Sequence, residues 1–213
     1  MKRKIPQNLL LRIFSVKISF FIFLLTLEAK NQLRIDSFKW RVAETEHFYV
    51  YYYPEVESKL DEVIFYLEKA YEKVTDKLKY TPSVKIPFFV YKNHLHFEQN
   101  VIAEIGEETG GFSEPFKNRF VIPFFTSKEE LEHVITHEFT HIISFFLWYG
   151  GRWRSLSLIR LWVYPIPLWI AEGIAEYTSD VWDSHDDMII RDMVINNDLI
   201  SVDEMTSFNH LEG

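Results

Sequence analysis

The segment His137-Glu138-Phe139-Thr140-His141 decides how this chain is interpreted. In a helix, residues four positions apart lie on the same face, so the imidazoles of His137 and His141 point in the same direction and can bind one metal ion from one rigid element. Glu138, beside them, occupies the position expected of a general base for a metal-activated water. The segment therefore predicts a metal-dependent hydrolase.

The sequence around this motif is that of a buried helix. Within residues 134–143 the ionisable side chains are those of His137, Glu138 and His141, whereas a surface helix would carry charges on its solvent side. Burial of these groups is costly unless they are paired or bind a metal. Two satisfied core histidines with a buried ion pair are the alternative to a metal site.

The ends of this helix are also marked in the sequence. Ser127 and Glu130 have the spacing of a capping box, with Ser127 as the N-cap and Glu130 reaching back to it. The dipeptide Gly150-Gly151 is typical of a helix end. We therefore predict a helix over residues 128–148.

A second motif, Trp169-Ile170-Ala171-Glu172-Gly173-Ile174-Ala175-Glu176-Tyr177, follows Pro167, which suits the first turn of a helix. Glu172 and Glu176 lie one helical turn apart, and like charges at that spacing destabilise a helix that gives them no partner. A metal ion for Glu172 and a metal-bound histidine for Glu176 would supply such partners. A solvated face beside an apolar core stripe is the alternative.

Together the two motifs resemble those of the gluzincins, the zincin metallopeptidases (MA clan) that use a glutamate as their third metal ligand. The chain is most similar to the bacterial peptidase MA-like domains, over roughly residues 36–208. The resemblance implies that His137, His141 and Glu172 bind Zn²⁺ and that Glu138 is the general base.

The resemblance also implies the surroundings of the site. Glu176 would orient a ligand histidine, and the strand before the motif helix would be a sheet edge that binds the substrate backbone, which places Gly111 and Phe112 at the cleft. Gly110 and Gly111 could equally be plain turn residues. The implied fold is α+β and zincin-like, with a small mixed or antiparallel sheet packed on the motif helix and on a second helix that carries the glutamate ligand.

The remaining elements are predicted from periodicity and turn residues. Aromatic and β-branched runs predict strands, and apolar residues at helical spacing among charges predict an amphipathic helix. This predicts strands at 47–53 and 84–91, a helix at 55–79, two short strands at 110–113 and 119–125 around a turn at 114–118, and a helix at 188–195.

A peptidase also needs a donor for the developing oxyanion, usually tyrosine or histidine. Tyr177, His185 and His210 are the candidates, and the sequence does not choose among them. Core packing is the alternative role for Tyr177, and an ordinary surface position is the alternative for the two histidines.

Residues 1–29 form a separate N-terminal element. Five basic residues lie before a short apolar run at 18–27, and no acidic residue occurs before Glu28. This pattern is typical of a secretory signal, and the run is short for a membrane span. We expect residues 1–29 to be a signal peptide or an N-terminal membrane anchor, and residues 30–213 to be an exported, periplasmic or secreted domain that is C-terminally incomplete relative to the family pattern.

Charge and composition exclude several classes of partner and ligand. Removal of residues 1–29, which hold five basic groups and one acid, takes the net charge from −8 to −12, and this disfavours nucleic acid as a partner. The chain has no cysteine, so a metal site must use nitrogen and oxygen ligands, which suits zinc.

The segment 145–170 is rich in aromatic residues and also holds three arginines. It could be a membrane-interface loop or an insert beside the active site, and the second is favoured because Pro165 and Pro167 interrupt any spanning helix.

Three functions remain open from the sequence. The first is an exported zinc peptidase acting on peptides or proteins. The second is a non-catalytic, zinc-stabilised binding or scaffold domain, or the fragment of a larger, for example propeller-fused, protein. The third is a membrane-associated processing protease, in which residues 18–27 and 145–170 both contact lipid.

Overall fold

The computed structural model of the chain describes residues 36–99, 110–114, 117–150, 166–180, 182, 184–199 and 201. The predicted signal or anchor at 1–29, most of the aromatic segment at 145–170, and His210 lie outside the described residues. Among the residues that are described, no helix has both the length and the apolar character needed to cross a bilayer.

The described residues form an α+β fold with one five-stranded sheet, which confirms the predicted class. The strands are β1 (Arg41–Glu44), β2 (Phe48–Tyr52), β3 (Ile86–Tyr91), β4 (Phe112–Glu114) and β5 (Arg119–Pro123). Their order in the sheet is β1-β2-β3-β5-β4. The two outer pairs are antiparallel, and the two inner pairs, β2 with β3 and β3 with β5, are parallel. The sheet is therefore mixed.

Five α-helices accompany this sheet in the described part of the chain: α1 (Leu60–Leu78), α2 (His94–Phe97), α3 (Lys128–Tyr149), α4 (Leu168–Ser179) and α5 (Ser184–Asn196). A 3-10 segment, Pro54–Lys59, precedes α1, so the predicted helix at 55–79 begins with a tighter turn than expected. It ends at Leu78, where Lys79 adopts a left-handed conformation with φ of 52°.

The motif helix α3 is the central element of the domain. Ser127 accepts a hydrogen bond from the backbone N–H of Glu130, which confirms it as the N-cap. The expected return contact from Glu130 is replaced by Glu129, whose carboxylate accepts a hydrogen bond from the Ser127 hydroxyl. At the other end, Gly150 has φ of +75°, which a residue with a Cβ rarely adopts, and the helix ends there.

The core lies between the sheet and the two helices α1 and α3. The inward residues of the inner strands are fully buried, as are those of the facing helices: Phe48, Val50, Phe88, Val90, Phe120, Ile122, Val63, Leu67, Val74, Leu131, Ile135, Phe139. Phe139 meets the rings of Phe48 and Phe120 at centroid distances of 5.3 and 6.0 Å. This face of α3 is therefore held against the sheet, and the opposite face is available for a site.

Candidate metal centre

The two motif histidines lie on the face of α3 that points away from the sheet. Two residues along a helix turn the side chain by about 200°, so His137 is directed opposite to Phe139, which packs on the sheet. His141, four residues on, lies above His137, and the two Nε2 atoms are 3.1 Å apart. The helical spacing predicted from the sequence thus brings both imidazoles to one point.

Helix α4 packs on α3 and brings a carboxylate to the same point. Glu172 Oε2 lies 3.2 Å from His137 Nε2 and 3.3 Å from His141 Nε2. The three side chains retain 17, 16 and 23 % of their exposure for His137, His141 and Glu172 respectively. They form a nearly equilateral triangle of one oxygen and two nitrogen atoms that is sheltered but open on one side to a cleft.

The dimensions of this triangle fit a zinc site. Zinc bonds nitrogen and oxygen at about 2.0–2.1 Å in a tetrahedral arrangement, which places any two ligand atoms about 3.3 Å apart. The three observed separations of 3.1–3.3 Å match this value. The nitrogen and oxygen donor set is also one that zinc accepts. His137, His141 and Glu172 could therefore hold the ion.

The pKa values of His137 and Glu172 are shifted because these charged side chains lie close together. Burial lowers the pKa of His137, but the nearby carboxylates of Glu172 and Glu176 outweigh it and raise this pKa to about 10. Hydrogen bonds to His137 and His141 lower the pKa of Glu172 to about 2. The carboxylates thus create a strong preference for positive charge at the triangle, which either a proton or a metal cation would satisfy.

Glu138 is buried next to the triangle and is held by strand β4. It is 7 % exposed, and its Oε2 accepts a hydrogen bond from Ser113 Oγ at 2.7 Å. A Cβ atom on Gly111 would lie 2.9 Å from Glu138 Cγ, so only glycine allows the strand to approach this closely. Burial raises the pKa of Glu138 above its usual value.

Glu176 lies behind His137, on the side away from the triangle. Its Oε1 is 3.1 Å from His137 Nδ1, close enough for an ion pair, although the direction is not that of a regular hydrogen bond. The other oxygen, Oε2, lies 3.9 Å from Nε2 of His133. His133 was not predicted from the sequence. The sequence nevertheless indicates this residue, because His133 precedes His137 by four residues, the same spacing as that between His137 and His141.

His133, His137 and Glu176 form a second group that could hold a cation, but a wider one. Glu176 Oε2 lies 3.9 Å from His133 Nε2, and the ring centroids of His133 and His137 are 5.9 Å apart, against 4.8 Å for His137 and His141. His137 also belongs to both groups. The compact triangle is therefore the better candidate for the metal.

A cleft of about 510 Å³ opens from the triangle. Gly111 and the first two residues of β4, Phe112 and Ser113, line this cleft, as expected for Gly111 and Phe112. The apolar part of the lining comes from the end of α3, from the start of α4 and from the segment just before α4, with these residues: Phe145, Trp148, Tyr149, Ile166, Leu168, Ala171. Ile166 and the end of the aromatic segment thus lie beside the candidate site.

The candidate oxyanion donors are not brought to this cleft within the described residues. Tyr177 is 74 % exposed, and its ring lies 4.8 Å from Lys77 Nζ in a separate groove on α4. This position corrects both the donor role and the core-packing alternative. His185 is exposed on α5, and His210 lies in the part of the chain that is not described.

The chain was compared with known proteins at the levels of family, sequence and fold. No family model, no curated protein and no solved structure matches it.

Proposed function

We propose that this chain is a zinc-dependent peptidase of the gluzincin type. The observation that carries the proposal is the combination of two parts. Three zinc-compatible donors converge at 3.1–3.3 Å, and a buried carboxylate, Glu138, adjoins them in an open cleft. A purely structural zinc site has four protein ligands and no use for such a carboxylate.

In this proposal each residue has a distinct role. His137, His141 and Glu172 would hold the ion. Bound zinc would lower the pKa of water to about 7 and polarise the scissile carbonyl group. Glu138 takes the proton of the attacking water and delivers it to the leaving amine. Glu176 supports His137 from behind by favouring a proton on Nδ1, which leaves Nε2 free to bind metal.

Strand β4 would position the substrate. It pairs on one side with β5, and its residues Phe112 and Ser113 line the cleft together with the preceding Gly111. An extended peptide can add to a sheet edge through backbone hydrogen bonds, which would place a peptide bond next to Glu138. The zincin-like character of the fold is part of the same proposal.

Export is also part of the proposal and is tested separately. The basic and apolar pattern of residues 1–29 supports it. Expression of the full chain in a bacterium, followed by fractionation, is expected to place it in the periplasm or at the membrane. Salt and then detergent extraction distinguishes a released domain from an anchored one. Recovery from the cytoplasm alone would contradict export.

The decisive experiment combines metal analysis with a cleavage assay. The purified protein and its Glu138→Gln variant are measured for zinc by mass spectrometry and tested on a library of internally quenched peptides. About one zinc ion per chain is expected in both proteins, and cleavage only in the wild type. Zinc in the wild type without cleavage of any peptide would favour the scaffold function, and absence of zinc from both would contradict the metal site itself.

A further inference from the structure

Ser113 contacts Glu138 in an unusual way. Its Oγ lies 2.7 Å from Glu138 Oε2 and also 2.7 Å from the backbone oxygen of Glu138. Both possible acceptors belong to Glu138. A serine hydroxyl has one hydrogen to donate, which the two oxygens share. The two residues are 25 positions apart in sequence, and the contact joins strand β4 to helix α3.

Gly111 also lies close to the Glu138 side chain. A Cβ on Gly111 would lie 3.2 Å from Glu138 Oε1 and 3.0 Å from a methyl of Ile122. Gly111, which directly precedes β4, and Ser113, within β4, both lie against Glu138. Of the two carboxylate oxygens, Oε2 is the one that lies within hydrogen-bonding distance of the Ser113 hydroxyl.

We propose that Ser113 is a positioning residue that fixes the Glu138 carboxylate, so that Oε1 is the oxygen left to accept a proton. This inference rests on the proposed function and adds to it a residue that neither motif contains. A glutamate side chain has three rotatable bonds, and misplacement of a catalytic group by about 1 Å can reduce the rate about a hundredfold. A buried oxygen without its donor would also favour a different rotamer.

The closest test compares Ser113→Thr with Ser113→Val. The two side chains have nearly the same shape, and only threonine keeps the hydroxyl. We expect Ser113→Val to lower kcat by about tenfold to a hundredfold, with little change in KM and about one zinc ion per chain. Ser113→Thr is expected to stay within about threefold of the wild type. Ser113→Ala, which adds no atoms, is expected to behave like Ser113→Val.

Ser144→Ala is the matched control. Ser144 is a buried serine on α3, outside the cleft, and its hydroxyl has no hydrogen-bond partner among the described residues. Loss of that hydroxyl should leave kcat unchanged. A fall in kcat equal to that of Ser113→Ala would attribute the effect to general destabilisation and overturn the inference.

Crystal structures of Ser113→Thr and Ser113→Val give a readout that does not depend on turnover. The Glu138 carboxylate is expected in its original place in the first and rotated in the second. An unmoved carboxylate in Ser113→Val, or equal kcat in the two variants, would overturn the role of Ser113. If the wild type cleaves no peptide, the proposed function fails, and the position of Glu138 still decides whether Ser113 holds it.

Discussion

At the scale of single residues, His137 has a carboxylate close to each of its two ring nitrogens. One ring nitrogen faces Glu172 at 3.2 Å and the other faces Glu176 at 3.1 Å. A carboxylate at Nδ1 favours a proton there and leaves the Nε2 lone pair for a metal. The two glutamates, one helical turn apart, therefore act on the same imidazole in different ways.

The two glutamates are expected to differ in their effect on zinc affinity. Glu176→Gln should weaken binding by about 10–100-fold because it removes only the support behind His137. Glu172→Gln should weaken it further because a ligand oxygen is replaced by an amide. Competition against a chromophoric chelator measures both values. Equal losses, or a larger loss for Glu176→Gln, would contradict the assignment of Glu172 as the ligand.

The residues that the sequence located are those whose relation is fixed within a helix. Spacing of four residues predicts a shared face before any tertiary structure is known, and this applies to His137 with His141 and to Glu172 with Glu176. Glu138 was assigned from its place beside His137, and the meeting of the two pairs was implied by the resemblance. Ser113 was missed because its role depends on how β4 crosses α3. Tyr177 was misplaced because its position five residues after Glu172 turns it by about 140° away from the side of α4 that faces the cleft, and the sequence-based assignment did not use this.

At the scale of elements, strand β4 determines how closely the sheet edge approaches α3. Gly111→Ala is expected to push the Glu138 side chain away, since its Cβ would lie 2.9 Å from Glu138 Cγ. We expect kcat to fall about a hundredfold while zinc content stays the same. Steady-state kinetics and metal analysis test this.

Gly110→Ala provides the control for that substitution. A Cβ on Gly110 would meet Val134 at 3.4 Å, an ordinary contact. It should therefore leave kcat within about threefold of the wild type. A loss as large as that of Gly111→Ala would mean that the strand, rather than its distance from Glu138, is sensitive to substitution.

The start of β2 is joined to α1 by a contact that depends on pH. Glu68 accepts hydrogen bonds from His47 Nδ1 at 2.6 Å and from the His47 backbone N–H at 3.3 Å. Burial raises the pKa of Glu68, but these hydrogen bonds and one from Thr45 outweigh it and lower this pKa below 4.5. The stabilisation is thus present above about pH 4.5 and is lost as the pH falls through the lowered pKa of the folded state.

Glu68→Gln is expected to remove this dependence. Between about pH 7 and about pH 3, its free energy of unfolding should fall by about 1 kcal/mol less than that of the wild type, since the contact is partly exposed. Urea titrations at several pH values measure the difference. Glu72→Gln, an exposed carboxylate one turn further along α1, should follow the wild-type profile, and identical profiles for all three proteins would contradict the prediction.

The element pattern was mostly predictable, but the connectivity of the sheet was not. The hairpin of β4 and β5 and the helices α1, α3 and α4 follow from periodicity and turn residues. The parallel pairing of β2 with β3 was not predicted, although the helix between the two strands is the crossover that parallel neighbours require. Strand β1 was missed because Arg41–Glu44 is mostly exposed and shows no alternating apolar pattern.

At the scale of the whole molecule, helix α4 is held less strongly by the core than α3. It buries only Ala175, Thr178 and Ser179, whereas α3 buries twelve residues. Its last turn is anchored by two lysines of α1: Lys73 donates to Ser179 O at 2.9 Å and Lys77 to Tyr177 O at 2.8 Å. A metal at the triangle would add a further connection between α3 and α4.

Zinc is therefore expected to stabilise the domain. A ligand present at about a thousand times its Kd raises the free energy of unfolding by about 4 kcal/mol, and removal of zinc by EDTA should lower Tm accordingly. The same shift is expected in Glu138→Gln and a much smaller one in Glu172→Gln. Thermal unfolding with and without zinc measures it. A Tm that does not respond to zinc in the wild type would contradict the metal site.

The residues of α3 and α4 that face each other at the site also limit where this chain can gain or lose residues. His133, His137 and His141 repeat every four residues, and Glu172 and Glu176 do so on the opposing helix. Insertion of one residue within 133–141 or 172–176 would rotate the side chains that follow it by about 100° around the helix axis. The side chains of the two helices would then no longer face each other. Insertions and deletions should thus be excluded from residues 133–141 and 172–176 in natural variants, even where substitutions are tolerated.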